Sequence, residues 1–388
     1  MIGYHRECAM LKLTVPSLLL IASTPPVFGQ EHARVAAASW QTAEEIDWKQ
    51  IRRVFRNGVT LGEVTPEDSA LWRRASELIG NRGEELYSKG PRTGLTPLSE
   101  LGTGTYRGEV GGLYGAGRND PPAAHRAAAI TELARIRPLD GQGRESPDGK
   151  VILLSIGMSN TTQWFSAFKE IADGDPDKAA HVLLVDGAQD SQAAGIIADD
   201  SAGFWQVVDE RLKEAGASAA QVQVAWVLQA TPFPHDPFPV EARMLYGHLV
   251  TIMKILRKRF PNLRIAYHSS RIYGGYANSA LNPEPHAYES AFAVRWLILD
   301  QIRGHPELNY DPERGRVRSP LLLWGPYLWA DGLTPRRDGL VWEKGDLAGD
   351  GTHLSESGQA KVAGKLLDFF KTDPLARTWF LKAAGATP

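Results

Sequence analysis

The chain has 388 residues, 43 basic and 45 acidic side chains, and a formal net charge of −2. That near-balance gives no electrostatic case for nucleic acid or for an anionic membrane surface as a partner. A single cysteine, Cys8, excludes a disulfide framework and a Cys-ligated metal site.

Arg6 and Lys12 flank a leucine-rich apolar run, Leu13 to Ser23, and Val27-Phe28-Gly29 offers small or neutral residues before a cleavage point. This is the layout of a secretory signal peptide over 1–29, and it predicts export to the periplasm or beyond. A spanning anchor is disfavoured, because Pro16 interrupts the run and it falls short of the ~20 apolar residues needed. Cys8 precedes the run rather than following it, which argues against a lipobox and leaves the mature chain without a thiol nucleophile. Eleven tryptophans and eleven tyrosines hint at stacking on sugars, although aromatic residues are core-formers first.

Residues 30–149 read as a helical and Gly-rich extension packing on the core. Helical periodicity runs from Ala43 to about Lys89, with Thr65-Pro66-Glu67-Asp68 as a helix-start signal. Gly90 to Pro122 is a long irregular stretch containing Tyr106, Tyr114 and Asn119. Such segments in compact domains are often functional, so 106–125 reads either as a substrate-side lid or as a structural Gly-rich excursion. A helix from Ala123 to Ile136 and a polar linker from Asp140 to Lys150 complete the extension.

From 150 to 388 short apolar runs alternate with helical patterns. Strands are expected at Val151–Ile156, Val182–Val185, Val222–Leu228, Leu263–Tyr267 and Leu321–Trp324. Helices are expected near Trp164–Ile171, Ala202–Ala215, Pro239–Arg259, Tyr288–Arg303 and Glu356–Lys371. The alternation predicts a flavodoxin-like three-layer α/β/α sandwich around a five-stranded, mainly parallel sheet. Ligand sites in such sheets gather at the carboxyl ends of the strands.

The turn leaving each strand is therefore where chemistry is expected. The first strand leads into Gly157-Met158-Ser159-Asn160, the second into Asp186-Gly187, the third into Gln229, and the fourth into Arg271 and Tyr273. After the fifth comes Asp350-Gly351-Thr352-His353 ahead of the last helix. A serine hydroxyl needs an adjacent base to attack at neutral pH. His353 supplies that base, and Asp350 is placed to hold its tautomer. The N–H groups of Ser159 and Gly187 and the amide of Gln229 are the candidate oxyanion donors. Asn160, Arg271, Tyr273, Tyr114 and Asn119 are candidate substrate contacts. Each piece also has a structural reading: Ser159 as a helix cap, Asp350 as a turn former, Gly187 as a turn glycine, Gln229 as a backbone partner, and Arg271 as a partner of Glu284 or Glu289.

With those residues in place, the stretch from about Lys150 to Lys371 resembles the SGNH (GDSL-type) hydrolase superfamily. Gly157-x-Ser159 is similar to its first block, Gly187 to its second, and Asp350-x-x-His353 to its last. Met158 and Asn160 depart from Gly-Asp-Ser-Leu. Gly-x-Ser-Asn and Trp226-x-x-Gln229 look closer to the sialate-O-acetylesterase-like branch. The resemblance implies a serine esterase without metal or organic cofactor, acting on a small-molecule or glycan ester, with a carbohydrate O-acetyl group as the favoured substrate. Two other readings stay open. Asp186, Asp190, Asp346, Asp350 and His353 would form the oxygen-and-imidazole site of a metal-dependent phosphoesterase. An exported glycan-binding protein with a vestigial triad is the third. No Gly-x-Gly-x-x-Gly opens the first helix, which disfavours dinucleotide binding.

Overall fold

The computed structural model describes residues 47–60 and 64–382. The expected signal peptide, with Cys8, lies outside the described residues. No described helix is long and apolar enough to cross a membrane.

Helices α1 (Trp48–Thr60) and α2 (Pro66–Tyr87) open the described chain. The start of α2 obeys its sequence signal: Thr65 Oγ1 accepts the Asp68 N–H at 3.1 Å, Asp68 reaches back to the Thr65 N–H, and Pro66 sits in the first turn. A short ladder of β1 (Thr105–Tyr106) and β2 (Glu109–Val110) comes next, and then the helix α3 (Ala123–Leu133).

The sheet is built from β3 (Val151–Gly157), β4 (Val182–Asp186), β5 (Val222–Leu228), β6 (Ile265–Ser269) and β7 (Leu321–Trp324). Its order is β4-β3-β5-β6-β7, and every pairing is parallel. Strands β3, β5, β6 and β7 are buried at every position, as expected where both faces of a parallel sheet are covered. The crossover helices are α4 (Ser159–Asp173), the short α5 (Ala194–Ile197), α6 (Gly203–Glu214), α7 (Val240–Arg259) and α8 (His286–Ile302), with α9 (Glu356–Thr372) and α10 (Arg377–Phe380) closing the fold. The chain steps one way from β3 to β4 and the other way from β5 through β7, so right-handed crossovers put their helices on opposite faces. Accordingly α4 packs on α9, and α7 packs on α8. Phe168 of α4 stacks on Phe370 of α9 at 5.4 Å, and Phe165 on Trp226 of β5 at 6.0 Å.

Two regions of the extension dock in different places. The Gly-rich stretch and α3 lie on the β7 edge and α8, and α8 itself also contacts that edge. The Trp324 N–H donates to Tyr114 Oη at 3.2 Å, Nε2 of His125 meets the Leu322 carbonyl at 2.8 Å, and Gln301 of α8 accepts the Leu322 N–H at 2.7 Å. Glu109 pairs with Arg295, and Tyr106 donates to Glu289 at 2.6 Å. Leu98, Leu113, Tyr114, Ala129 and Leu133 belong to the same apolar core as the sheet. Helices α1 and α2 instead form a separate small cluster, Ile51, Val54, Leu71 and Ala75, with Phe233 and Ala280 from loops at the carboxyl edge of the sheet.

Candidate active site

The strand order reverses between β3 and β5, and this switch point is where an open α/β sheet has its ligand crevice. The turn out of β3 is tightly determined. A Cβ on Gly157 would sit 2.1 Å from Thr161 Oγ1 and 2.4 Å from the Leu228 carbonyl, so only glycine fits. Thr161 Oγ1 accepts the Met158 N–H at 3.2 Å and donates to that same carbonyl at 2.8 Å. Met158 is the N-cap, and Ser159 is the first residue of α4. The capping alternative for Ser159 therefore falls away, because Thr161 does that work.

Ser159 Oγ lies 2.8 Å from Nε2 of His353. Nδ1 of the same ring lies 2.5 Å from Asp350 Oδ2. The other carboxylate oxygen, Oδ1, accepts the N–H groups of His353 at 2.9 Å and Thr352 at 3.0 Å. Burial pushes the Asp350 carboxyl upward, but the His353 hydrogen bond and charge, with the two N–H donors, outweigh it and hold it below the usual carboxylate range. Gly351 turns this loop at φ +64, and a Cβ there would sit 1.9 Å from the Tyr276 carbonyl. Serine and histidine are partly exposed, whereas the aspartate side chain is only 5% accessible.

The remaining sequence candidates divide. Gln229 is buried and donates from Nε2 to the Gln192 carbonyl at 3.0 Å, while its Oε1 is buried without a partner. An amide carries two protons, and the second one on Nε2 is not used in that bond. Gly187 needs correction. Its N–H is committed to Ser155 Oγ at 3.1 Å, inside the sheet edge, and so is not offered to the site. Asn160 and Arg271 both turn to the Thr352 carbonyl rather than outward, at 3.0 and 3.2 Å. Tyr273 donates to the Gly90 carbonyl at 2.8 Å, and Tyr114 Oη is taken by Trp324. Asn119 closes its own loop between the Leu113 N–H and the Ser99 carbonyl. The contacts of residues 106–125 with β7 and α8 are those of the structural reading, covering a sheet edge.

The acids of the metal reading do not gather. Ser155 and Thr162 donate to Asp186, and Lys361 pairs with Asp346. Among the described residues one group of three potential ligands comes together, His235, Asp236 and Glu241. Arg52 of α1 closes on it, bonding both Glu241 oxygens and His235.

Sequence reasoning missed Thr161, which frees the serine, and Asn278, which ties the aspartate loop down. The Asn278 N–H donates to the Asp350 carbonyl at 3.1 Å and its side chain to that of Gly349 at 2.7 Å. A threonine two residues past Ser159 was the available signal for the first; nothing local marked the second.

Fold and site together define a doubly wound α/β protein carrying a Ser–His–Asp array at its switch point. No family model matches the chain, and no curated protein matches it. Among solved structures it is similar to the periplasmic domain of a lipopolysaccharide acetyltransferase from Salmonella ser. Paratyphi A. Identity is 13%, coverage is 63% of this chain and 96% of that domain, and the TM-score is 0.30. At that level the reading of the site stands on its own residues.

Proposed function

We propose that this protein is an exported serine esterase of the SGNH type that hydrolyses carbohydrate-linked O-acetyl esters. The observation that carries the reading is the unbroken hydrogen-bonded line from Ser159 Oγ through His353 to Asp350, at a serine that is only partly buried. The acetyl and sugar preference rests on the branch resemblance, and the export on the leader.

His353 Nε2 takes the hydroxyl proton as Ser159 Oγ attacks the ester carbonyl, and Asp350 stabilises the imidazolium. The tetrahedral oxyanion forms beside the first turn of α4, where helix N–H groups lack i−4 acceptors and the helix dipole is positive. The Ser159 N–H and the Gln229 amide are its donors in this reading. The imidazolium then gives its proton to the leaving alcohol. Water, deprotonated by the same imidazole, attacks the acyl-enzyme and releases the acid and the free serine. The sequence of steps calls on no metal or organic cofactor.

A fluorophosphonate probe followed by peptide mapping is expected to label Ser159. Ser159→Ala is expected to lose both the label and p-nitrophenyl acetate turnover while keeping its circular dichroism. Label on a different serine, or turnover retained by the variant, rejects the assignment. Tight glycan binding with no label and no turnover selects the vestigial-triad protein instead.

A further inference from the structure

Thr352 stands between Asp350 and His353, and its peptide is held from both sides. Its N–H goes to Asp350 Oδ1. Its carbonyl accepts two donors from distant parts of the chain: Asn160 Nδ2, beside the nucleophile on α4, and Arg271 Nη2, from the loop after β6. Arg271 is itself fixed. Nε donates to Asn282 Oδ1 at 3.1 Å, its backbone N–H donates to Ser290 Oγ at 3.2 Å, and the residue is 2% accessible. Its guanidinium carbon lies 5.8 Å from the ring centre of Trp164. Burial lowers its pKa to about 10, opposed by the charges of Asp350 and Glu284, so it stays cationic at neutral pH.

Burying a guanidinium is unfavourable unless its surroundings repay the lost hydration. Nε and Nη2 are spent on partners inside the protein and Nη1 is buried without one, so the side chain meets the Asp350–His353 loop rather than solvent. Lysine would keep the charge but lose the planar fork that spans Asn282 and Thr352.

We infer that Arg271 is a positioning residue of this site: with Asn160 it pins the Thr352 carbonyl, and thereby holds the His353 imidazole in line with Ser159. The inference rests on the proposed esterase activity and adds to it a residue that acts through the loop rather than on the substrate.

The test is p-nitrophenyl acetate kinetics on wild type, Arg271→Lys, Asn160→Ala and the double variant, with active sites counted by fluorophosphonate titration. Arg271→Lys is expected to lower kcat by ~10²-fold per active site, the scale of an ångström of misplacement, with KM changed less than about twofold. A raised KM with kcat intact makes Arg271 a substrate contact and overturns the inference, as does an unchanged kcat. Should Arg271→Lys not fold, Asn160→Ala frees the same carbonyl and is expected to lower kcat at constant KM; unchanged kcat there also overturns it. If both fold, their losses are expected to be less than additive, because they share one acceptor; full additivity removes the shared mechanism. Ser159 labelling of wild type separates the two levels. Unlabelled wild type defeats the esterase reading and this inference with it, whereas labelled wild type with unaffected variants defeats the inference alone.

Discussion

At the first turn of α4, Thr161 takes the Met158 N–H and gives its own proton to Leu228, leaving the Ser159 hydroxyl with His353 as its partner. The serine, histidine and aspartate were legible in the sequence because their order matched the order of strands whose ends must share an edge. Gly187 was misread for a physical reason. Its N–H chooses between an open site and the Ser155 hydroxyl on the adjacent strand, and that choice depends on the parallel register that sets Ser155 opposite Asp186. Gln229 offers a sharper test of the oxyanion arrangement. Gln229→Ala is expected to lower kcat by ~10²-fold, read by active-site-normalised turnover, and an unchanged kcat removes it from the site. Asp350→Asn is expected to cost less than His353→Ala, since the aspartate orients rather than transfers the proton; the reverse ranking refutes that division of labour.

Among the elements, local period sufficed for existence and failed for docking. Strands β5 and β7 fall on their expected residues, and α7 begins one residue late, because apolar runs and 3.6-residue stripes are local properties. Where α1 and α2 settle is a long-range matter. Their apolar faces close around Phe233, whose ring stacks on Trp48 at 6.2 Å and meets Phe55 and Trp72 edge-on at 5.5 and 5.6 Å. Phe233 holds φ +52, a costly backbone for a bulky residue, and the aromatic cage stabilises it there. The hairpin also braces the site: Gly83 of α2 lies so close to Asn278 that a Cβ would fall 1.6 Å from its carbonyl oxygen. Because this cluster is separate from the main core, Phe233→Ala, at a cost of about 3–5 kcal/mol, is expected to release the hairpin alone. Hydrogen exchange should then quicken over residues 48–87 and remain slow in β3, β5 and β6. Equal loss across the sheet shows one cooperative core instead.

For the molecule as a whole, acid stability reports on what the sheet encloses. His268 of β6 is fully buried with neither ring nitrogen partnered, and burial pushes its pKa from 6.5 down to about 3. Below pH ~6.5 the unfolded chain binds the proton and the folded one does not, so stability falls as pH drops through that window toward 3. The loss at pH 5 is roughly 2 kcal/mol for this group. Glu284 works oppositely. Burial lifts it from 4.5 to about 7 despite the N–H donors of Gly274, Trp329 and Tyr288, so it adds stability as pH falls from about 7 to 4.5. Urea midpoints at pH 7 and pH 5 for wild type and His268→Leu separate the two. The variant is expected to lose less, or gain more, on acidification, and identical slopes mean that the imidazole is protonated in the folded state.

The coverage of β7 carries a consequence for how copies of this chain meet. An uncovered outer strand is a ready template for a neighbour's backbone, and a purely parallel sheet has two such borders. On this border Tyr114, His125 and Gln301, drawn from three separate stretches, each occupy a main-chain group that an incoming strand would need. Tyr114 of the glycine-rich excursion thus shares the guarding of that flank with α3 and α8, and a second molecule could add a strand there only where all three withdrew, a change that would leave the serine and its partners, on other strands, in place.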